Sequence, residues 1–109
     1  MYEIRHYLTA AGKNLFEEWL DSLRDAQTEA RIAARIARLA AGNFGDCRPL
    51  RDGVWELRID WGPGYRIYYA MLGRTCVLLL CGGDKRKQSA DINRAVGYWN
   101  DYQRRTKMP

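Results

Sequence analysis

The feature that most constrains the fold is the stretch from Val54 to Cys81, where apolar and polar residues alternate and glycine-containing breaks separate the runs. In Val54-Trp55-Glu56-Leu57-Arg58-Ile59-Asp60, the apolar residues Trp55, Leu57 and Ile59 alternate with Glu56, Arg58 and Asp60. That period of two is what a strand shows when one face is buried. Trp61-Gly62-Pro63-Gly64 supplies turn residues and Tyr65 to Met71 resumes the pattern, which predicts a β-hairpin. Leu72-Gly73-Arg74 makes a second tight turn into the apolar run Thr75 to Cys81. Three strands joined by such short turns form an antiparallel meander.

The rest of the chain reads as cover for that sheet. Tyr2 to Leu8 alternates Tyr2, Ile4 and Leu8 against Glu3 and Arg5, the pattern of a half-buried strand, and His6 falls on its apolar side as a core or interface residue. Thr9 is placed to cap a first helix whose stripe is Leu15, Phe16, Trp19, Leu20 and Leu23. A second helix is predicted from about Asp25 to Ala41, with Ile32, Ile36 and Leu39 on one face and Arg31, Arg35 and Arg38 on another, closed by Gly42. The two helices should form an antiparallel hairpin. Asn43 to Gly53 reads as a loop. A terminal helix, capped by Asp84 or Ser89, buries Ile92, Ala95, Val96, Trp99 and Tyr102. The order β-α-α-β-β-β-α defines an α+β class: one domain over residues 1–109, a small antiparallel sheet with helices packed on it.

Composition removes several alternatives. A content of 47% apolar and 12% aromatic residues excludes intrinsic disorder. No apolar run approaches the roughly 20 residues of a membrane-spanning helix. The charged start Met1-Tyr2-Glu3-Ile4-Arg5 lacks the apolar core of a signal peptide, so no membrane partner and a cytoplasmic location are expected. Cys47, Cys76 and Cys81 form neither a CxxC pair nor an even set, and His6 is the one histidine, so neither a metal nor a cofactor is expected.

The formal net charge of +5 is unevenly placed. Residues 1–50 balance, residues 51–83 carry +1, and residues 84–109 carry +4. Such an excess suits a polyanion, nucleic acid or an acidic protein, although a solvated charged face reads the same way. Arg58 and Arg66 fall on the two strands of the hairpin, at positions that alternation allows to share one face. Lys85-Arg86-Lys87 follows Gly82-Gly83 at the start of a helix, where unpaired backbone N–H groups favour an anion. Tyr65, Tyr68 and Tyr69 offer faces for bases, with at least one expected in the core. Arg66, at a polar strand position, is expected to leave no cavity when truncated. The arginine row of the second helix reads as a solvated face.

The run Trp55 to Tyr69, with its Gly64-Tyr65-Arg66 element, followed by Leu78 to Gln88 with Gly82-Gly83-Asp84-Lys85, and then Asp91-Ile92, resembles the addiction-module killer proteins. These are RelE/HigB-like toxins of type II toxin–antitoxin systems, in the RelE/ParE superfamily. The resemblance covers nearly the whole chain. It implies an endoribonuclease that cleaves mRNA in the ribosomal A site without a metal, inhibits translation, and is held in check by a cognate acidic antitoxin. Arg66 matches the transition-state arginine, Lys85 and Lys87 fall in the basic segment after the last strand, and Arg58 corresponds to a strand lysine or arginine. Where some relatives have a late histidine or tyrosine, this chain offers Gln88 and Asp91. Arg58, Arg66, Lys85, Lys87 and Asp91 are thus the expected catalytic set, and Tyr68, Arg86 and Gln88 the expected RNA contacts. The chemistry fits: a 2′-hydroxyl already beside its phosphorus needs only alignment and charge stabilisation, and arginine grips two phosphate oxygens. A lysine crowded by cations has a depressed pKa and suits the base, with another lysine or Asp91 at the leaving group. Two rivals stand beside this reading: a ParE-like gyrase poison of the same superfamily, against which the hairpin arginines and Lys85-Arg86-Lys87 favour RNA cleavage, and an inactive nucleic-acid- or antitoxin-binding module.

Overall fold

A computed structural model describes residues 1–107. Five strands form one sheet in the order β1-β5-β4-β3-β2, where β1 is Glu3–His6, β2 Cys47–Arg51, β3 Val54–Ile59, β4 Tyr65–Leu72 and β5 Cys76–Asp84. Helices α1 (Leu15–Ser22) and α2 (Ala26–Ala40) precede β2, and α3 (Gln88–Thr106) follows a single 3₁₀ turn at Lys85–Lys87. The α+β class and the β3-β4-β5 meander stand as expected.

Alternation in the meander produces two cores, one on each face. Leu57, Ile67, Tyr69, Val77 and Leu79 pack with Phe16 of α1 and Ile32 and Leu39 of α2. Val54, Tyr68, Ala70, Leu78 and Leu80 pack with Ala95, Val96 and Trp99 of α3. A sheet covered on both sides has no solvent face in its central strands, so a polar residue there must find partners. On β5 the pairing slips: Tyr68 opposes Cys81 and Tyr69 opposes Leu79, which leaves Leu80 as the extra residue of a bulge.

Four sequence expectations change. The segment 43–53 is not all loop, because Cys47–Arg51 pairs antiparallel with β3. Pro49 disguised it, and an edge strand is where proline is tolerated. The sheet is mixed rather than antiparallel, since β1 runs parallel to β5 with Ile4 opposite Val77. Asn14, not Thr9, caps α1, accepting the Glu17 N–H at 3.0 Å, while Thr9 closes a turn with Lys13. Leu8 lies exposed beyond the strand, and Tyr7 takes the buried place, its hydroxyl donating to Asp101 at 2.6 Å. His6 is half-buried, beside the Asn14 amide and edge-on to Phe16.

Asp25 caps α2, and Gly42 follows its C-cap in the left-handed region at φ +97°, as the sequence suggested. Asp84 likewise caps the 3₁₀ turn that leads into α3.

Candidate functional site

The β3-β4 register sets Arg58 directly opposite Arg66, so the two arginines do share one face, the α3 side. Lys85 joins them because its backbone N–H donates to the Gly64 carbonyl at 3.0 Å, tying the end of β5 to the hairpin turn. Arg58, Arg66 and Lys85, together with Asp46, Asp60 and Gly64, line an open groove of about 300 Å³. Arg58 is loosely held by Asp46 at 3.8 Å. Among the described residues Lys85 has no carboxylate within ion-pair distance.

Beneath the groove lies a residue that the sequence reading passed over. Glu56 is completely buried and faces α3. Its carboxylate accepts from Arg48 Nε at 2.9 Å and Gln88 Nε2 at 2.7 Å, and lies 3.3 Å from Arg66 Nε. Two hydrogen bonds and the nearby Arg66 cation, whose buried Nε makes no hydrogen bond of its own, offset the large cost of desolvating that carboxylate. Arg66, a residue only 8% exposed, is thereby held from behind, with Nη1 donating to the Tyr65 carbonyl at 3.2 Å. Arg66 is therefore not the exposed strand residue expected, and its truncation would leave a buried anion short of a cation.

The other candidates fall elsewhere. Lys87, Arg86 and Asp91 line a neighbouring groove of about 280 Å³ with Trp19, Gly83 and Arg94. Asp91 is 6% exposed, accepts from Arg94 at 2.7 Å, and has its carboxyl raised above the ordinary range by burial. Gly82 and Gly83 have a packing role: a Cβ on Gly82 would strike the Trp19 indole, and one on Gly83 the Asp91 carboxylate. The expected open helix N-terminus is already occupied, because Asp84 accepts the Arg86 N–H at 2.9 Å and pairs with its guanidinium, which lowers the Asp84 pKa.

Tyr68 cannot stack on a base as expected: its ring is 0% exposed, in the α3-side core, and burial raises its phenol well above the usual range. Tyr69 is likewise core, which leaves half-buried Tyr65 as the aromatic of the three with an open edge. Gln88 is engaged by Glu56. The signal for Glu56 lay in its strand, where Val54 shares its face and so marks that face as covered. Among the described residues no three His, Cys, Asp or Glu side chains cluster to hold a metal, and no helix is long and apolar enough to cross a membrane.

Fold and groove together define a small α+β protein with a cationic cleft at the turn end of its central hairpin. The family described as "Phage derived protein Gp49-like (DUF891)" matches residues 18–95, and the chain belongs to that family. The matched span contains Glu56, Arg58, Arg66, Lys85, Lys87 and Asp91. An uncharacterized protein of Haemophilus influenzae is 50% identical over 80 residues, covering 73% of this chain and 81% of that relative.

Proposed function

We propose that this protein is the toxin of a type II toxin–antitoxin system and a RelE/HigB-like endoribonuclease that cleaves mRNA at the ribosomal A site without a metal. The observation that carries this reading is the convergence of Arg58, Arg66 and Lys85 on one groove, with Arg66 held from behind by buried Glu56. Membership of the Gp49-like family and the resemblance of the hairpin and Gly-Gly-Asp-Lys elements to RelE/HigB toxins support it.

In this reading the ribose 2′-oxygen attacks the adjacent phosphorus and the bond to the 5′-oxygen breaks, giving a 2′,3′-cyclic phosphate and a free 5′-hydroxyl. Arg66 and Arg58 face the phosphate oxygens, where negative charge grows in the transition state. Asp46 and Asp60, in the same groove, are acceptors for the 2′-hydroxyl proton, and Lys85 is the donor to the leaving oxygen. Lys87 and Arg86 extend the positive surface beyond the groove. Asp91 is removed from the proton-transfer set in this scheme, because it lines the neighbouring groove.

The partner is a small acidic antitoxin that covers the cationic groove, its charge steering association and its apolar contacts supplying most of the affinity. Mapping 5′ ends of cellular mRNA after brief induction tests the activity. Cuts in register with codons are expected. Intact mRNA, with supercoiling and the SOS response changing first, would instead identify a gyrase poison.

A further inference from the structure

The arginine row of α2 does not face solvent alone. Arg31, Arg35 and Arg38 line a second cleft, of about 310 Å³, and its far wall is Arg58, Asp60 and Trp61. Arg58 and Asp60 belong to the first groove as well, so the two openings lie side by side on a shared wall. Four guanidinium groups line the second cleft against the single carboxylate of Asp60. Arg31 lies over the Trp61 ring with its Cζ 3.6 Å from the centroid, and the indole is pinned by donating to Thr28 at 3.1 Å. Arg35 is buried and spends its donors on the carbonyls of Asn43 and Phe44, so it contributes field rather than contacts. Arg31 and Arg38 are exposed, and among the described residues neither has a carboxylate within ion-pair distance.

We infer that this cleft is a second subsite for single-stranded RNA, in which Arg31 and Arg38 take backbone phosphates of the strand that continues past Arg58. The inference rests on the endoribonuclease reading and extends it by giving the substrate a path. Two observations favour RNA over an acidic protein. Half of the eight lining residues are arginines, and of the three apolar ones Trp61 is already covered by Arg31, whereas a protein interface needs an apolar centre for its anchors. The fixed Trp61–Arg31 stack presents flat aromatic and guanidinium surface beside the phosphate ligands, the combination that unpaired bases use.

The test is binding of a fluorescent 12-nucleotide 2′-O-methyl RNA, which has no free 2′-hydroxyl to cleave it, measured by anisotropy over a salt series. Wild type is compared with Arg31→Gln, Arg38→Gln and the double variant. Each lost phosphate contact flattens the plot of log K against log salt by about 0.7, so the double variant should lose about 1.4 of the slope. Arg31 packs on Trp61, so thermal melts accompany the binding; if Arg31→Gln is unfolded, the Arg38→Gln change of about 0.7 decides. Wild-type binding with an unchanged slope in the variants overturns the subsite and leaves the endoribonuclease reading standing. Binding of polyglutamate, as a stand-in for an acidic protein, is measured on the same proteins, and variants that keep RNA binding but lose polyglutamate binding overturn the subsite in favour of a protein-docking surface. A wild type that binds no RNA at all overturns the subsite, while mapping of mRNA 5′ ends decides the endoribonuclease reading separately.

Discussion

The carboxylate of Glu56, with no exposed surface, lies 3.3 Å behind the guanidinium Nε of Arg66. An arginine side chain is long and flexible, and a groove that must meet a phosphate needs it in one pose. Glu56 supplies that pose while Arg48 and Gln88 satisfy its remaining lone pairs. The groove and the core are thus one structure, and a change at either residue affects both.

Arg66→Lys should therefore keep the fold and lose the chemistry. A lysine retains a cation near Glu56 but not the fork that grips two oxygens. Loss of about 2.7 to 4 kcal/mol of transition-state stabilisation corresponds to roughly a hundred- to a thousandfold in rate. Arg66→Ala should lose activity and also melt lower, because a buried charged group left short of a partner costs about 1 to 3 kcal/mol or more. Ribosome-based cleavage and thermal melts on both variants check this. An Arg66→Ala protein that melts like wild type would show that Glu56 does not depend on it.

Two carboxyls should respond to acid with opposite signs. Burial raises the Asp91 pKa above its unfolded value, so its contribution is most favourable at low pH, below the unfolded pKa, and is lost as pH rises through the folded pKa. Asp101 has its pKa lowered by hydrogen bonds from Tyr7 and Arg105, so its contribution is present above the unfolded pKa and is lost as pH falls through the lowered value. Relative to wild type, Asp91→Asn should gain stability as pH rises from about 4 toward 7, and Asp101→Asn should gain stability as pH falls from about 4 toward 2. Urea unfolding at several pH values reads both slopes.

The meander, the helix stripes and the facing of Arg58 and Arg66 were legible because each follows from a local period. The edge strand β2 was hidden by Pro49 and by the arginines on either side of it, Arg48 and Arg51, although Asp52-Gly53, both in the left-handed region, is the dipeptide of a tight hairpin turn and signals a strand on each side. The parallel pairing of β1 with β5 joins residues more than 70 positions apart, as in Glu3 with Cys76, and no local pattern encodes such a partner. Glu56 falls on the polar side of the β3 alternation. What buries it is α3 lying across that face, which is a tertiary event. The same event turned Tyr68 from a candidate base platform into core.

Trp99→Ala tests the α3 face by itself. Trp99 is 9% exposed and stacks on Tyr102 with ring centroids 6.0 Å apart. Truncating a buried aromatic costs about 3 to 5 kcal/mol, enough to lower Tm by more than about 10 °C in a domain of this size. The residual folded protein should cut RNA normally below its melting temperature. A stable Trp99→Ala protein with no activity would place Trp99 in the site.

Gly83 sits opposite Arg66 in the β4-β5 register, and its missing side chain is what lets the Asp91 carboxylate approach the strand. Gly83→Ala should push Asp91, and the start of α3 with it, away from β5. Overpacking of this kind costs about 1 to 3 kcal/mol. Because α3 begins with Gln88, which donates to Glu56 at 2.7 Å, the displacement should also loosen Arg66 and lower cleavage. In an Asp91→Ala background the obstructing carboxylate is absent, so the same Gly83→Ala change should cost much less. Urea melts on the four proteins of this double-mutant cycle measure the coupling directly. Gly97→Ala is the control: Gly97 lies inside α3 with open space where its Cβ would be, and the substitution should stabilise by about 0.4 to 1 kcal/mol. Additive costs for Gly83 and Asp91 would mean that the Gly-Gly element is not there to seat this carboxylate, and its role would have to be sought in the backbone itself.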